Sequence, residues 1–111
     1  MLTVDFSKLD IYQVIKENYE DERIQLILAS LPEEERDVLE YRIGINGDKL
    51  SRQAIANLKG VTLEMVRGME SRALRRLKHP ARAQMINAVL DPNFHISEKA
   101  QEFFNQVNKK M

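Results

Sequence analysis

The stretch whose reading decides the fold is "LSRQAIANLKGVTLEMVRGMESRALRRLKHPAR", residues 50–82. Ser51 and Thr62 are short hydroxyl residues placed to cap helices, Gly60 lies between them, and Pro80 closes the segment. The spacing predicts a short helix carrying Ala54, Ile55 and Leu58, stopped by Gly60, and a longer one running from Thr62 to about His79. Only "GVT" joins them. A three-residue link containing glycine is the geometry of a helix-turn-helix, whose second helix can enter the major groove of DNA. Ala56 stands where the two helices cross most closely, Gly60 supplies a left-handed turn, and Val61 and Val66 fill the space between.

Turning the longer helix by about 100° per residue separates its faces. Val66, Met69, Ala73 and Leu77 fall inward, and Glu64, Arg67, Gly68, Ser71, Arg75 and Lys78 fall outward. Met65, Arg72 and Arg76 lie at the flank, and Glu70 falls on the inner side, where it needs a partner or a route to water. Charge repeats this division at larger scale. Over 111 residues the net charge is zero, yet residues 1–48 hold 12 acidic and 5 basic side chains while residues 49–83 hold 9 basic and 2 acidic. A basic island displayed on the solvent face of a reading helix is an electrostatic footprint for a polyanion.

The rest of the chain also reads as helix, and no alternating run of strand length occurs, so the expected fold is all-α, a compact multi-helix domain. A first helix is expected over residues 8–19 with Ser7 as N-cap and Ile11, Tyr12, Ile15 and Tyr19 on one face, Leu9 and Val14 lying outside it. A second, over 21–30, is weakly separated from the first and aligns Ile24, Ile27, Leu28 and Leu31. Pro32 starts a third, in which Glu33, Glu34 and Glu35 favour the positive end of the dipole, Val38, Leu39 and Ile43 are buried, and Gly44 is the stop. A sixth covers 81–90, and Ser97 caps a last amphipathic helix bearing Ala100, Phe103, Phe104 and Val107.

Several classes of function are excluded. No cysteine is present, the most apolar segment is too short to span a bilayer, and the N-terminus lacks signal-peptide character, so a soluble cytoplasmic protein without membrane partners is expected. His79 and His95 have no partner at ligand spacing, so no metal site is expected. No nucleophile beside a base and no glycine-rich phosphate loop occurs, which argues against an enzyme and against a cofactor.

The segment "LPEEERDVLEYRIGI", followed by residues 50–82 and a closing "VLD", resembles region four, the C-terminal domain of primary-type bacterial RNA polymerase sigma factors, over residues 31–91. The most specific parts are the "LP..ER.VL..R.GI" opening, "VT.E.VR..E..AL..L" and the terminal "HP.R". The resemblance implies that the opening helps to hold the β flap of RNA polymerase and that the helix-turn-helix reads promoter DNA. Carried over, it implies that Glu64 and Arg67 contact bases or phosphates, and that Ser51 and Thr62 cap helices beside the backbone. Arg52, Leu63 and Ser71 join the DNA-facing set, and Arg72, Arg75, Arg76 and Lys78 become backbone or activator contacts. Leu31, Val38, Leu39, Tyr41 and Ile43 become candidates for core or flap groove.

This sequence also departs from the family. Leu63 and Met65 stand where arginine is usual and Gly68 where glutamine is usual, which removes donors that read base edges. Lys59 stands where an apolar residue usually precedes the turn, with Leu58 as a shifted substitute. The 111 residues leave no room for the sigma domain that melts DNA, so the expected protein is a free-standing or detached region-four form acting with a second sigma-like subunit or activator. Residues 1–30 are read as a helical leader and 92–111 as a C-terminal helix. The alternatives are a sigma-like interaction module of co-activator or anti-sigma type, with little specific DNA binding, and a dimeric repressor pairing through its last helix.

Overall fold

The computed structural model describes residues 9–109, which form seven α-helices: α1 (Ile11–Glu17), α2 (Glu22–Ala29), α3 (Glu33–Ile43), α4 (Arg52–Lys59), α5 (Leu63–Leu77), α6 (Pro80–Leu90) and α7 (Glu98–Lys109). No strand occurs among the described residues. The caps follow local chemistry. Asp21, Ser51 and Thr62 each accept a hydrogen bond from a backbone amide in the turn they start, and Gly44 and Gly60 end α3 and α4 with φ of 80° and 67°.

The first helix differs from expectation. The expected cap, Ser7, lies outside the described residues; α1 starts later, at Ile11, because the Asp10 carboxylate accepts from the Gln13 amide at 3.2 Å. Asn18 to Asp21 separate α1 from α2, so these two helices are not continuous. Val14, placed off the apolar face by the sequence reading, is buried with Ile15. Position 14 is about one turn from Ile11, and both lie in the same core, against which Tyr12 also packs while its hydroxyl reaches Glu70. At the far end of the helix pair, α5 stops at Leu77, and α6 starts at Pro80 with the His79 imidazole accepting from the Ala81 amide.

Two apolar cores result. The larger draws Val14 and Ile15 from α1, Ile24, Ile27 and Leu28 from α2, Leu39 and Ile43 from α3, Ala73 and Leu77 from α5, Met85 and Ile86 from α6, and Ala100 and Phe104 from α7. The smaller belongs to the helix-turn-helix and consists of Val38, Ile55, Ala56, Val66 and Met69, with Leu50 and Val61 packed against it. Leu58 does not substitute for the apolar residue missing at position 59, for it is 60% exposed. Position 59 shares the inner stripe of α4 with Ile55 and Ala56, and position 58 does not. Lys59 therefore lays its stem inward and brings its ammonium to 3.6 Å from the Asp37 carboxylate.

Candidate nucleic-acid interface

The link between α4 and α5 is as tight as its three residues demand. Gly60 is left-handed, the Val61 amide donates to the Ala56 carbonyl at 3.0 Å, and the Thr62 hydroxyl accepts from the Met65 amide at 3.1 Å. Ala56 and Val66 are both buried where the two helices pack against each other. Ser51 caps α4 by accepting from the Ala54 amide at 3.1 Å. Ser51 and Thr62 are thus caps, and both are exposed.

Along α5 the inner face is Val66, Met69, Glu70, Ala73 and Leu77, all buried, and the outer face is Glu64, Arg67, Ser71, Arg75 and Lys78, all exposed. Glu64 and Arg67 pair with each other at 2.7 Å. Arg75 and Lys78 enter no ion pair among the described residues. Arg42, Arg52, Arg72 and Arg76 are held by two buried carboxylates. Glu35, in the first turn of α3, receives Arg76 at 2.8 Å and Arg72 at 3.6 Å. Glu70 receives Arg52 at 2.5 Å on one oxygen and Arg42 at 3.0 Å on the other, where the Tyr12 hydroxyl also donates.

Glu70 thus finds the partners its inward position requires, from three other helices. Burial alone would raise its carboxyl pKa, but the hydrogen bonds from Tyr12, Arg42 and Arg52 outweigh it and hold the value below the ordinary one. The Tyr12 phenol moves the opposite way: burial, then the hydrogen bond and charge of Glu70, push it well above its usual range. Arg42, Tyr12 and Glu35 are absent from the sequence-derived candidates. Their partners lie 28, 58 and 41 residues away, beyond the reach of any local pattern.

Of the residues carried over for the polymerase flap, Leu31, Val38, Leu39 and Ile43 lie in the interior, and only Tyr41 is exposed. Tyr41 lines an open concavity with Asp37, Glu40 and Asp48. Leu63 is half-buried, Met65 is 50% exposed, and neither belongs to either core. The arginine of the "HP.R" motif, Arg82, is buried. It donates to the Ser30 hydroxyl at 2.8 Å, the Ser30 carbonyl at 3.1 Å and the Arg76 carbonyl at 3.2 Å, and lies 4.9 Å from the Phe103 ring centre. It ties the end of α5 to α2 and α7. No helix of the described residues is long and apolar enough to cross a membrane.

Comparison with known proteins bears on the same segment. Residues 27–79 match the family described as sigma-70, region 4. The chain is similar to the RNA polymerase sigma factor SigA of a Bacillus species, 35% identical over 81 residues that cover 72% of this chain and 20% of that protein. It is similar to SigA of Listeria monocytogenes at 33% identity over 81 residues, with the same 72% and 20% coverage. The chain therefore spans about a fifth of the length of these curated relatives. No solved structure matches significantly. With its capped helix pair, its Gly60 turn and the match itself, the segment 27–79 belongs to the sigma-70, region 4 family.

Proposed function

We propose that this chain is a sigma-like transcription initiation factor that docks on bacterial RNA polymerase and sets α5 against promoter DNA. The observation that carries the reading is the exposed strip of Arg67, Ser71, Arg75 and Lys78 on the helix that follows the Gly60 turn. Phosphate contacts from these groups supply salt-dependent affinity, and the first turn of α5 meets base edges. There Glu64 is the one acceptor for a cytosine amine, and Leu63 presents an apolar surface suited to a thymine methyl. For the β flap, the outer face of α3 around Tyr41 is the surface that remains, since the other carried-over residues form the core. The test is a pull-down against purified core polymerase with and without its flap. Flap-dependent capture is expected; no complex even at low salt overturns the reading.

A second reading has its own support. Leu58 and Met65, 60% and 50% exposed, flank the helix-turn-helix bend with apolar surface. That suits a module of co-activator or anti-sigma type, with the bend turned to a protein. Replacing Arg67 and Arg75 by alanine separates the two: promoter-dependent function collapses under the first reading and survives under the second.

A further inference from the structure

Arg52, Arg67 and Ser71 converge on one open concavity between the start of α4 and the middle of α5, of about 340 Å³, floored by Glu70 and Leu74. The arginines are prepared differently. Arg52 gives its Nε to the buried Glu70 carboxylate at 2.5 Å, which holds the guanidinium in place, and among the described residues its two terminal amino groups enter no hydrogen bond; the side chain is 45% exposed. Arg67 gives one terminal amino group to Glu64 and is 56% exposed. Behind them, Arg42 occupies the second Glu70 oxygen and spends a further donor on the Leu50 carbonyl, so it is structural. Three guanidiniums thus surround two carboxylates, one of which is buried and fully used. The concavity keeps a net positive charge and a row of unspent donors. Asp10, in the adjoining concavity, is engaged as the cap of α1.

We propose that this concavity is a cradle for a single phosphodiester of the DNA backbone, with Arg52 as the fork, Arg67 and Ser71 as second and third donors, and Glu70 as the residue that positions the fork. The chemistry is that of a planar guanidinium presented edge-on to a phosphate, with its orientation fixed in advance, which lysine cannot reproduce. The inference rests on the DNA-reading role of α5 and names the phosphate that registers it. A role in registering α5 also explains why a costly buried carboxylate stands inside this helix. Glu70 carries the first residue of α4 to the helix that reads.

The test is a methylphosphonate scan of a duplex that the protein selects from a random pool, in which each backbone charge is removed in turn. Binding is read by fluorescence anisotropy at fixed salt. One linkage is expected at which neutralisation weakens wild-type binding by about tenfold, the scale of a charge-assisted contact. Arg52→Ala should bind the unmodified duplex as weakly and lose nothing more at that linkage. Glu70→Gln should lose the same coupling, and because that change risks the fold, Arg52→Lys provides the second arm. It should fold normally and keep the salt dependence while losing the coupling. Binding of the duplex with no linkage coupled to Arg52 overturns the cradle and leaves the DNA-reading role standing; absence of duplex binding at low salt overturns both. Arg52-dependent binding of inorganic phosphate, measured by calorimetry, without a coupled linkage assigns the concavity to a free anion and overturns the DNA assignment.

Discussion

Gly44 has no room for a side chain. Its φ is +80°, and a Cβ there would sit 2.9 Å from the Gly47 carbonyl oxygen and from the Lys49 amide nitrogen, both backbone atoms. Gly60 is also left-handed but opens on empty space, and Gly68 is helical with only the end of the Arg72 side chain in the way, at 3.2 Å. Three alanine substitutions should therefore rank in urea unfolding. Gly60→Ala costs about 1 kcal/mol for the left-handed backbone alone, and Gly44→Ala costs on the order of 3 kcal/mol with the collision added. Gly68→Ala stabilises by up to about 1 kcal/mol through helix propensity, because the Arg72 end can give way. Glu70 makes stability depend on pH. Its folded pKa is depressed below the ordinary 4.5, so its stabilisation is complete above that value and is lost as pH falls through the folded pKa. Tyr12 is raised above its ordinary 10.0, so its contribution is complete below that value and is lost as pH rises beyond it. Denaturant midpoints of wild type and Tyr12→Phe should then differ most between these limits and converge on either side.

At the scale of the element, the caps, the glycine stops and the inward face of α5 are legible in the sequence, because each depends on residues within one or two turns. The side-chain pairings are not. The partners of Glu35 and Glu70 reach them only once α3, α4 and α5 have packed, and Glu35 reads locally as a first-turn carboxylate facing the helix dipole. Lys59 shows a second limit. Helical phase places position 59 inward whatever residue occupies it, and Leu58 stays outside although it is the more apolar of the two. The closing element, α7, buries Ala100 and Phe104, while Phe103 lies 5.2 Å from the His79 ring and against Arg82. Phe104→Ala should cost about 3 to 5 kcal/mol in unfolding free energy. Arg82→Lys should not rescue Arg82→Ala, since the guanidinium spreads its donors over three nitrogens to reach the Ser30 hydroxyl, the Ser30 carbonyl and the Arg76 carbonyl, and an ammonium has all of its donors on one. Equal stability of the lysine variant and wild type would contradict the role given to this arginine.

Across the whole molecule, the basic island that the sequence displays is thinner in the fold than in the count. Two buried carboxylates, Glu35 and Glu70, hold Arg42, Arg52, Arg72 and Arg76, and Glu64 pairs with Arg67, so along α5 the charge outside ion pairs rests on Arg75 and Lys78, with the exposed ends of Arg52 and Arg67 beside them. The helix-turn-helix, its orientation and its charged face were readable; the share of charge left for a partner was not, because ion pairs across helices subtract from it. The measurement that tests the central claim most directly is the salt dependence of duplex binding by wild type and by the Arg75→Ala, Lys78→Ala double variant. With four phosphate contacts, log K against log salt should fall with a slope of roughly −3 to −4, and the double variant should be shallower by about 2. A slope unchanged by removing both side chains would contradict the assignment of the outer face of α5 to DNA.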